Sequence, residues 1–336
     1  MIGATGTIGR ATVRALLRQG HEVVCFVRPG TAKHSASKHS ASKDGAVKDK
    51  AAEDSTRLFP GATVRTGEVT DPASLARDGL RGEHFDALVS CLASRTGTPK
   101  DAWAIDHQAQ LHALNAVKAA GATHAVLLSA ICVQKPLLAF QHAKLAFEKE
   151  LMASGLTWSI VRATAFFKSL SGQLDRVKKG KPFLVFGNGT LTACKPISDD
   201  DLGDFIAGCL NDPTRHHRVL PIGGPGDAIT PQQQGEALFQ MLGQPPRFKR
   251  VPVALLDVIV SVLSTLGRVV PKLADKAELA RIGRYYATES MLVWDAAAGR
   301  YDAAATPSHG TQTLLGHYRG LLSGEVKNER GEHAVF

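Results

Sequence analysis

No two of the five cysteines stand close enough to share a metal ion. Cys25, Cys91, Cys132, Cys194 and Cys209 are scattered along 336 residues without a C-x-x-C pair. That excludes a cysteine-only iron–sulfur or zinc site and points to a reducing, cytoplasmic compartment. The thirteen histidines show no H-E-x-x-H or comparable ligand spacing. His107 and His112, five apart on one predicted helix, face different ways, and His216-His217 falls in a turn after Pro213, so no metal is assigned. The start carries no charged n-region, apolar h-region or cleavage site. The most apolar run, Val251 to Pro271, is interrupted by Asp257, Ser261, Ser264, Thr265 and Gly267, which is too polar for a membrane span. Preceded by Arg247-Phe248-Lys249-Arg250, it reads as a buried helix or one lining an apolar site, with peripheral membrane association as the alternative.

What is present is ordinary globular material: 44% hydrophobic and 21% charged residues, enough for one large α/β domain and a smaller appendage. Forty Lys and Arg against 31 Asp and Glu give a formal charge of +9. Such a balance favours anionic partners without choosing among them. The chain opens on Gly3-Ala4-Thr5-Gly6-Thr7-Ile8-Gly9-Arg10, a G-x-x-G-x-x-G turn. Glycines at this spacing let a backbone turn tightly, approach a pyrophosphate and start a helix against a sheet. The context agrees, since Val13, Leu16 and Leu17 give a helical face, Gly20 ends it, and Glu22 to Val27 reads as a buried parallel strand. A dinucleotide is therefore expected on Gly3, Thr5, Gly6, Thr7, Ile8 and Gly9. At the second strand's end, Val27-Arg28-Pro29 has no carboxylate for a ribose 2′-hydroxyl. Arg28 and Arg10 instead suit the 2′-phosphate of NADPH.

Only Met1 and Ile2 stand where the first, central strand of such a sheet belongs. The first strand thus reads as truncated, and a longer natural chain is expected. Residues 30–56, with Lys33-His34-Ser35-Ala36-Ser37 repeated as Lys38-His39-Ser40-Ala41-Ser42, read as a disordered low-complexity insert. Strand–helix alternation resumes after it: a strand over 62–65, Asp71 capping a helix with Pro72 at its first position, and a strand over 85–91 ending in Cys91-Leu92-Ala93-Ser94, small residues suited to close cofactor approach. A long helix over 102–120, a strand over 125–129, a helix over 137–154 and a strand over 157–161 follow. The pattern predicts a doubly wound parallel sheet, a Rossmann fold over 1–162. Residues 163–336 read as a mixed region, part completing the sheet and part forming a substrate-binding subdomain.

In short-chain dehydrogenases a Ser ending the fifth strand is followed by a Tyr and, four residues on, a Lys. One helical turn sets the last two side by side, so the ammonium can lower the phenol pKa and hold the nicotinamide ribose. Here Ser129 is followed by Phe140-Gln141-His142-Ala143-Lys144. The Lys is at the right spacing and the Tyr position holds Phe, so something other than a ketone should accept the hydride. From 168 to 195 six basic residues, Lys168, Arg176, Lys178, Lys179, Lys181 and Lys195, stand against Asp175, with Phe166, Phe167, Phe183 and Phe186 among them. The mix suits a flat apolar anion. No nucleic-acid recognition motif accompanies it.

At Ser129-Ala130-Ile131-Cys132-Val133-Gln134-Lys135-Pro136 and Phe140-Gln141-x-Ala143-Lys144-Leu145 the chain resembles the NADPH-dependent 3,8-divinyl chlorophyllide 8-vinyl reductases, atypical NmrA-like members of the extended short-chain dehydrogenase superfamily. The resemblance continues at Val161-Arg162-x-Thr164-Ala165-Phe166-Phe167-Lys168-Ser169-Leu170, Lys178-Lys179-Gly180-Lys181-Pro182, Cys194-Lys195-Pro196-Ile197-Ser198, Arg284 to Met291, and Thr306-Pro307-Ser308-x-Gly310. It covers nearly the whole chain.

The resemblance implies hydride transfer from NADPH to the C8 vinyl of a divinyl chlorophyllide or protochlorophyllide a, in (bacterio)chlorophyll synthesis, with possible peripheral attachment to photosynthetic membranes. Protonation on carbon needs no phenol, so Lys144, the catalytic candidate, or an ordered water is the expected proton source; Cys91, Ser129 and Lys144 are expected beside the cofactor, and Phe166, Phe167, Lys168 and Lys195, from the basic and aromatic stretch, on the substrate side. The missing cysteine clusters exclude the unrelated ferredoxin-driven route to the same product. The alternative is a catalytically silent NmrA-like NADP(H)-binding regulator or assembly factor; reduction of a phenylpropanoid-type double bond, as in isoflavone-reductase-like proteins, is a third.

Overall fold

The computed structural model describes residues 1–29 and 59–326, so the insert expected at 30–56 lies outside the described residues. Among the described residues ten strands follow in chain order: β1 (Val24–Val27), β2 (Thr63–Thr66), β3 (Ala87–Ser90), β4 (His124–Ala130), β5 (Thr157–Ala163), β6 (Phe183–Phe186), β7 (Arg218–Ile222), β8 (Phe248–Val251), and the short antiparallel pair β9 (Val293–Asp295) and β10 (Arg300–Asp302). β1 pairs with β2, and β3, β4, β5 and β7 pair in succession, all parallel. Ile2 joins the two groups, bridging Phe26 of β1 and Ser90 of β3. Its N–H donates to Val89 and its carbonyl accepts from Cys91, while Phe26 N–H donates to Met1. Met1 and Ile2 thus occupy the central slot, and the strand order β2-β1-Ile2-β3-β4-β5-β7 is that of a Rossmann sheet.

Helices cover both faces, as an all-parallel sheet requires. On one face lie α1 (Thr7–Arg18) and, much later in the chain, a helix over Asp199–Gly208. They cross closely because Gly203 has no Cβ; one there would stand 2.7 Å from the Ala11 carbonyl carbon. Ile8, Val13 and Leu16 pack with Val126, Val161 and Ile206 beneath them. On the other face lie α2 and α3 (Ala139–Met152). α2 begins at Pro99–Ala102, passes through a wide turn at Trp103–Ala109 and continues over Gln110–Ala119. Leu114, Val117, Phe147 and Leu151 bury against Leu127 and Ile160, the alternate residues of the same strands. With these labels the Asp199–Gly208 helix is α4. Asp71 accepts a hydrogen bond from Ala73 N–H at a short helix opened by Pro72, as its sequence indicates.

The rest of the second half builds outward. β6 and β8 form a separate parallel pair, packed with α5 (Pro231–Met241) and a last helix over Leu314–Ser323 around Phe183, Phe239 and Tyr318. Between them in sequence, α6 (Val253–Gly267) and α7 (Pro271–Thr288) form a hairpin. Ile282 and Tyr285 of α7 bury against Leu138, Phe140 and Ala143. The expectation of a buried helix at 251–271 does not hold, for no residue of α6 is buried. Among the described residues α6 packs chiefly against α7, and Leu255, Val258, Val262 and Leu266 on its outer side are about half exposed.

Candidate active site

The glycine turn is built by close packing. Gly3 takes φ +74°, and a Cβ on it would lie 2.3 Å from the Cys91 carbonyl carbon. A Cβ on Gly9 would lie 2.1 Å from the Gly3 carbonyl oxygen, whereas one on Gly6 would meet nothing nearer than 3.5 Å. Gly6 is exposed and is the N-cap of α1, with no side chain to cap it. A helix leaves its first N–H groups without internal partners, so those of Thr7, Ile8 and Gly9, beside the exposed Gly6, are of the kind that can receive an anion. Arg10 Nε donates to the Thr5 carbonyl, 3.1 Å, and Arg28 stands exposed just past β1. This arrangement fits a dinucleotide diphosphate. Cys91 contributes its backbone, which walls the turn. Its thiol faces Thr12 Oγ1 at 3.6 Å and is pushed up to about 11 by burial, so it is no thiolate ligand.

Lys144, on α3, donates to Asp106 Oδ1 at 2.9 Å. The Asp106 carboxylate is fully buried and also accepts from Ser94 Oγ at 2.5 Å and Ser94 N–H at 3.2 Å. Asp106 lies in the wide turn of α2, a departure from α-helical spacing of the kind often found at functional sites. Three donors on one buried carboxylate set the position of the ammonium. Phe140, one turn before Lys144, is buried against Ile282 and Tyr285 and carries no proton to give. Tyr285 is close in space, but its hydroxyl donates to the carbonyls of Cys132 at 3.0 Å and Lys135 at 3.2 Å, and burial raises it above the usual phenol range.

Ser129 is not presented to the glycine turn. Its buried hydroxyl donates to Glu148 Oε1 at 2.6 Å, and Glu148 is ion-paired with Arg162 of β5. Ser129 therefore ties β4 to α3 and β5. Phe167 is likewise no surface group: it is buried with Leu174, Leu238 and Tyr318, because the turn after β5 drives it into the outer core. Phe166 is half-buried and bridges Ile197. Lys195 Nζ donates to the Thr306 carbonyl at 3.0 Å and Ser308 Oγ at 3.2 Å. Lys168 Nζ reaches back to Thr7 Oγ1 at 3.1 Å, placing it at the start of α1.

The segments that carry the resemblance converge in space. Lys195 joins 194–198 to 306–308, and Ser198 caps α4 by accepting from Asp201 N–H. Lys135 ion-pairs with Glu289, which accepts from Tyr301, and sits 4.7 Å from the Trp294 ring. Asp106 and Glu148 carry no assignment from the sequence, and Ser94 and Arg162 enter it only as a small residue after a strand and as part of the resemblance, not as partners of a buried acid. A charged Glu148 one turn after Lys144 on an apolar helix was a usable signal; nothing in the spacing marked Asp106. Among the described residues no group of three His, Cys, Asp or Glu is placed to hold a metal.

The parallel sheet, the open glycine turn at its carboxyl edge and the lysine one helix away define an NAD(P)H-binding Rossmann protein. A family described as NAD(P)H-binding matches residues 3–213. The chain is 48% identical to the divinyl chlorophyllide a 8-vinyl-reductase of Oryza sativa subsp. indica over 99% of its own length and 81% of the relative's. It is 25% identical to the photosystem II assembly factor Ycf39 of Synechocystis over 76% and 71%. The leucoanthocyanidin reductase–NADPH complex of Vitis vinifera superimposes with a TM-score of 0.63 at 15% identity, covering 96% of this chain and 98% of that one, which shows the shared fold. The chain belongs to the divinyl chlorophyllide a 8-vinyl-reductases, within the NAD(P)H-binding family.

Proposed function

We propose that the protein reduces the C8 vinyl group of 3,8-divinyl chlorophyllide a or protochlorophyllide a to ethyl with NADPH, in chlorophyll biosynthesis. The observation that carries this reading is Lys144, held by buried Asp106, beside a phenylalanine where a carbonyl reductase needs tyrosine. NADPH, held by its diphosphate on the glycine turn, would supply the hydride from its nicotinamide ring. A vinyl group conjugated to a macrocycle accepts it at the terminal carbon, because the ring delocalises the negative charge. The proton then goes to carbon, so no phenol relay is required. Lys144 is the proposed proton source, with Asp106 and Ser94 fixing its direction. Arg10 and Arg28 favour NADPH over NADH. Phe166 and Lys195, at the carboxyl edge of β5, are proposed for the macrocycle and its propionate, within a substrate subdomain drawn from 163–336.

The outer side of α6 supports a second partner, an anionic lipid surface. Leu255, Val258, Val262 and Leu266 recur at helical spacing and are about half exposed, flanked by exposed Lys249, Arg250 and Arg268. Among the described residues no helix is long and apolar enough to cross a membrane. The vinyl reductase of Oryza sativa subsp. indica is chloroplastic by name, and the proposed site of action is the surface of a photosynthetic membrane.

Incubation with NADPH and either divinyl substrate, followed by HPLC of the pigments, tests the reaction. The ethyl product is expected. Absence of turnover with intact dinucleotide binding overturns it in favour of a silent NADP(H)-binding protein.

A further inference from the structure

Lys168 is held where, by its charge alone, it should not be. The N-terminus of α1 carries the positive end of the helix dipole, about half an elementary charge, and Lys168 Nζ donates to Thr7 Oγ1 on its first residue. Like charges meet there. Thr7 Oγ1 is a neutral acceptor, and among the described residues no carboxylate pairs with Lys168. The half-buried ammonium is nonetheless held firmly: its neighbour Phe167 is packed in the outer core, and Phe167 N–H donates to the Ile197 carbonyl. The helix dipole disfavours a cation at this end, and an anion bound there would turn the repulsion into charge-assisted hydrogen bonds from both the helix N–H groups and the ammonium.

We propose that Lys168 is the diphosphate clamp of the cofactor site, reaching across from the segment after β5 to close the side of the glycine turn left open at Gly6. This deepens the NADPH reading and rests on it. It also moves Lys168 from the pigment to the cofactor. The consequence separates it from the two arginines. Arg10 and Arg28 are assigned to the 2′-phosphate, which NADH lacks; the diphosphate is common to all the dinucleotides. Lys168 therefore contributes affinity without choosing between them. Because the same segment carries Phe166, a seated cofactor also fixes one wall of the proposed pigment site.

Dissociation constants for NADPH, NADP⁺ and NADH, measured by calorimetry on wild type, Lys168→Met, Lys168→Arg and Arg28→Met, test this. Lys168→Met is expected to weaken all three by one common factor of about tenfold or more, the size of a lost charge-assisted hydrogen bond, and to flatten the salt dependence. Lys168→Arg is expected to retain most of the affinity, and Arg28→Met to weaken NADPH and NADP⁺ while leaving NADH unchanged. Lys168→Gln serves in place of Met if that variant does not fold. Unchanged binding of all three dinucleotides by the Lys168 variants overturns the clamp, as does a loss confined to NADPH and NADP⁺ with NADH spared. A raised KM for the pigment with unchanged dinucleotide affinity also overturns it and returns Lys168 to the substrate. A wild type that bound no dinucleotide would sink the cofactor reading as well.

Discussion

Phe140 and Lys144 lie one turn apart on α3, yet one is core and the other faces a buried acid. The chemistry proposed for the site depends on that difference. Lys144→Met is expected to lower turnover about 100-fold or more, the usual weight of a general acid, with NADPH affinity changed much less. Asp106→Asn keeps the shape but removes the counter-charge, so it is expected to lower kcat and shift its pH profile. Pigment HPLC across pH, with NADPH binding measured alongside, checks both. A purely structural Asp106 would change stability and leave the profile in place. Glu148 belongs to a different pair. Glu148→Gln leaves the Arg162 guanidinium without its buried partner and is expected to cost about 3 kcal/mol or more of unfolding free energy, read from urea denaturation.

At the scale of elements, the edge where β4 and β5 begin carries a histidine cluster. His124 of β4 packs edge-on against His216 at 4.4 Å, and Trp158 of β5 against His217. Burial, with the two neighbouring histidines, lowers His124 to about 4. A histidine that resists protonation in the fold but not in the unfolded chain adds stability that is complete above its ordinary pKa, about 6.5, and is lost as pH falls toward 4. The melting temperature is therefore expected to drop between pH 6.5 and 4, and His124→Gln to flatten that drop; a drop unchanged in the variant would place its cause elsewhere. α6 makes the other prediction at this scale. Replacing Val258 and Val262 by Ser is expected to reduce co-sedimentation with anionic liposomes by several-fold while leaving the melting temperature within a degree or two, since neither side chain is buried. Equal sedimentation of wild type and variant would exclude the lipid surface as the partner of α6. In sequence this helix looked like core, because apolar periodicity records which face could be covered and not whether anything covers it.

For the molecule as a whole, the doubly wound sheet and its glycine turn were legible in the sequence. Each element carries its own period, its own cap and its own stop, as at Asp71-Pro72 and at Gly3, Gly6 and Gly9, and these are local properties. The type of cofactor followed from residues within thirty positions of each other. What each side chain finally touches was decided only by the return of distant chain. Lys168 meets Thr7 from 161 positions away, and Lys195 meets Thr306 from 111. Ser129 turned to Glu148 and Phe167 sank into the outer core because their neighbours in space, not in sequence, supplied the partner. Sequence alone thus determined the architecture and the glycine turn at its carboxyl edge, since those rest on local backbone geometry and hydrophobic period. Tertiary structure decided which lysine reaches Thr7 at the start of α1 and which faces the buried acid, because an ion's partner is set by packing over long separations.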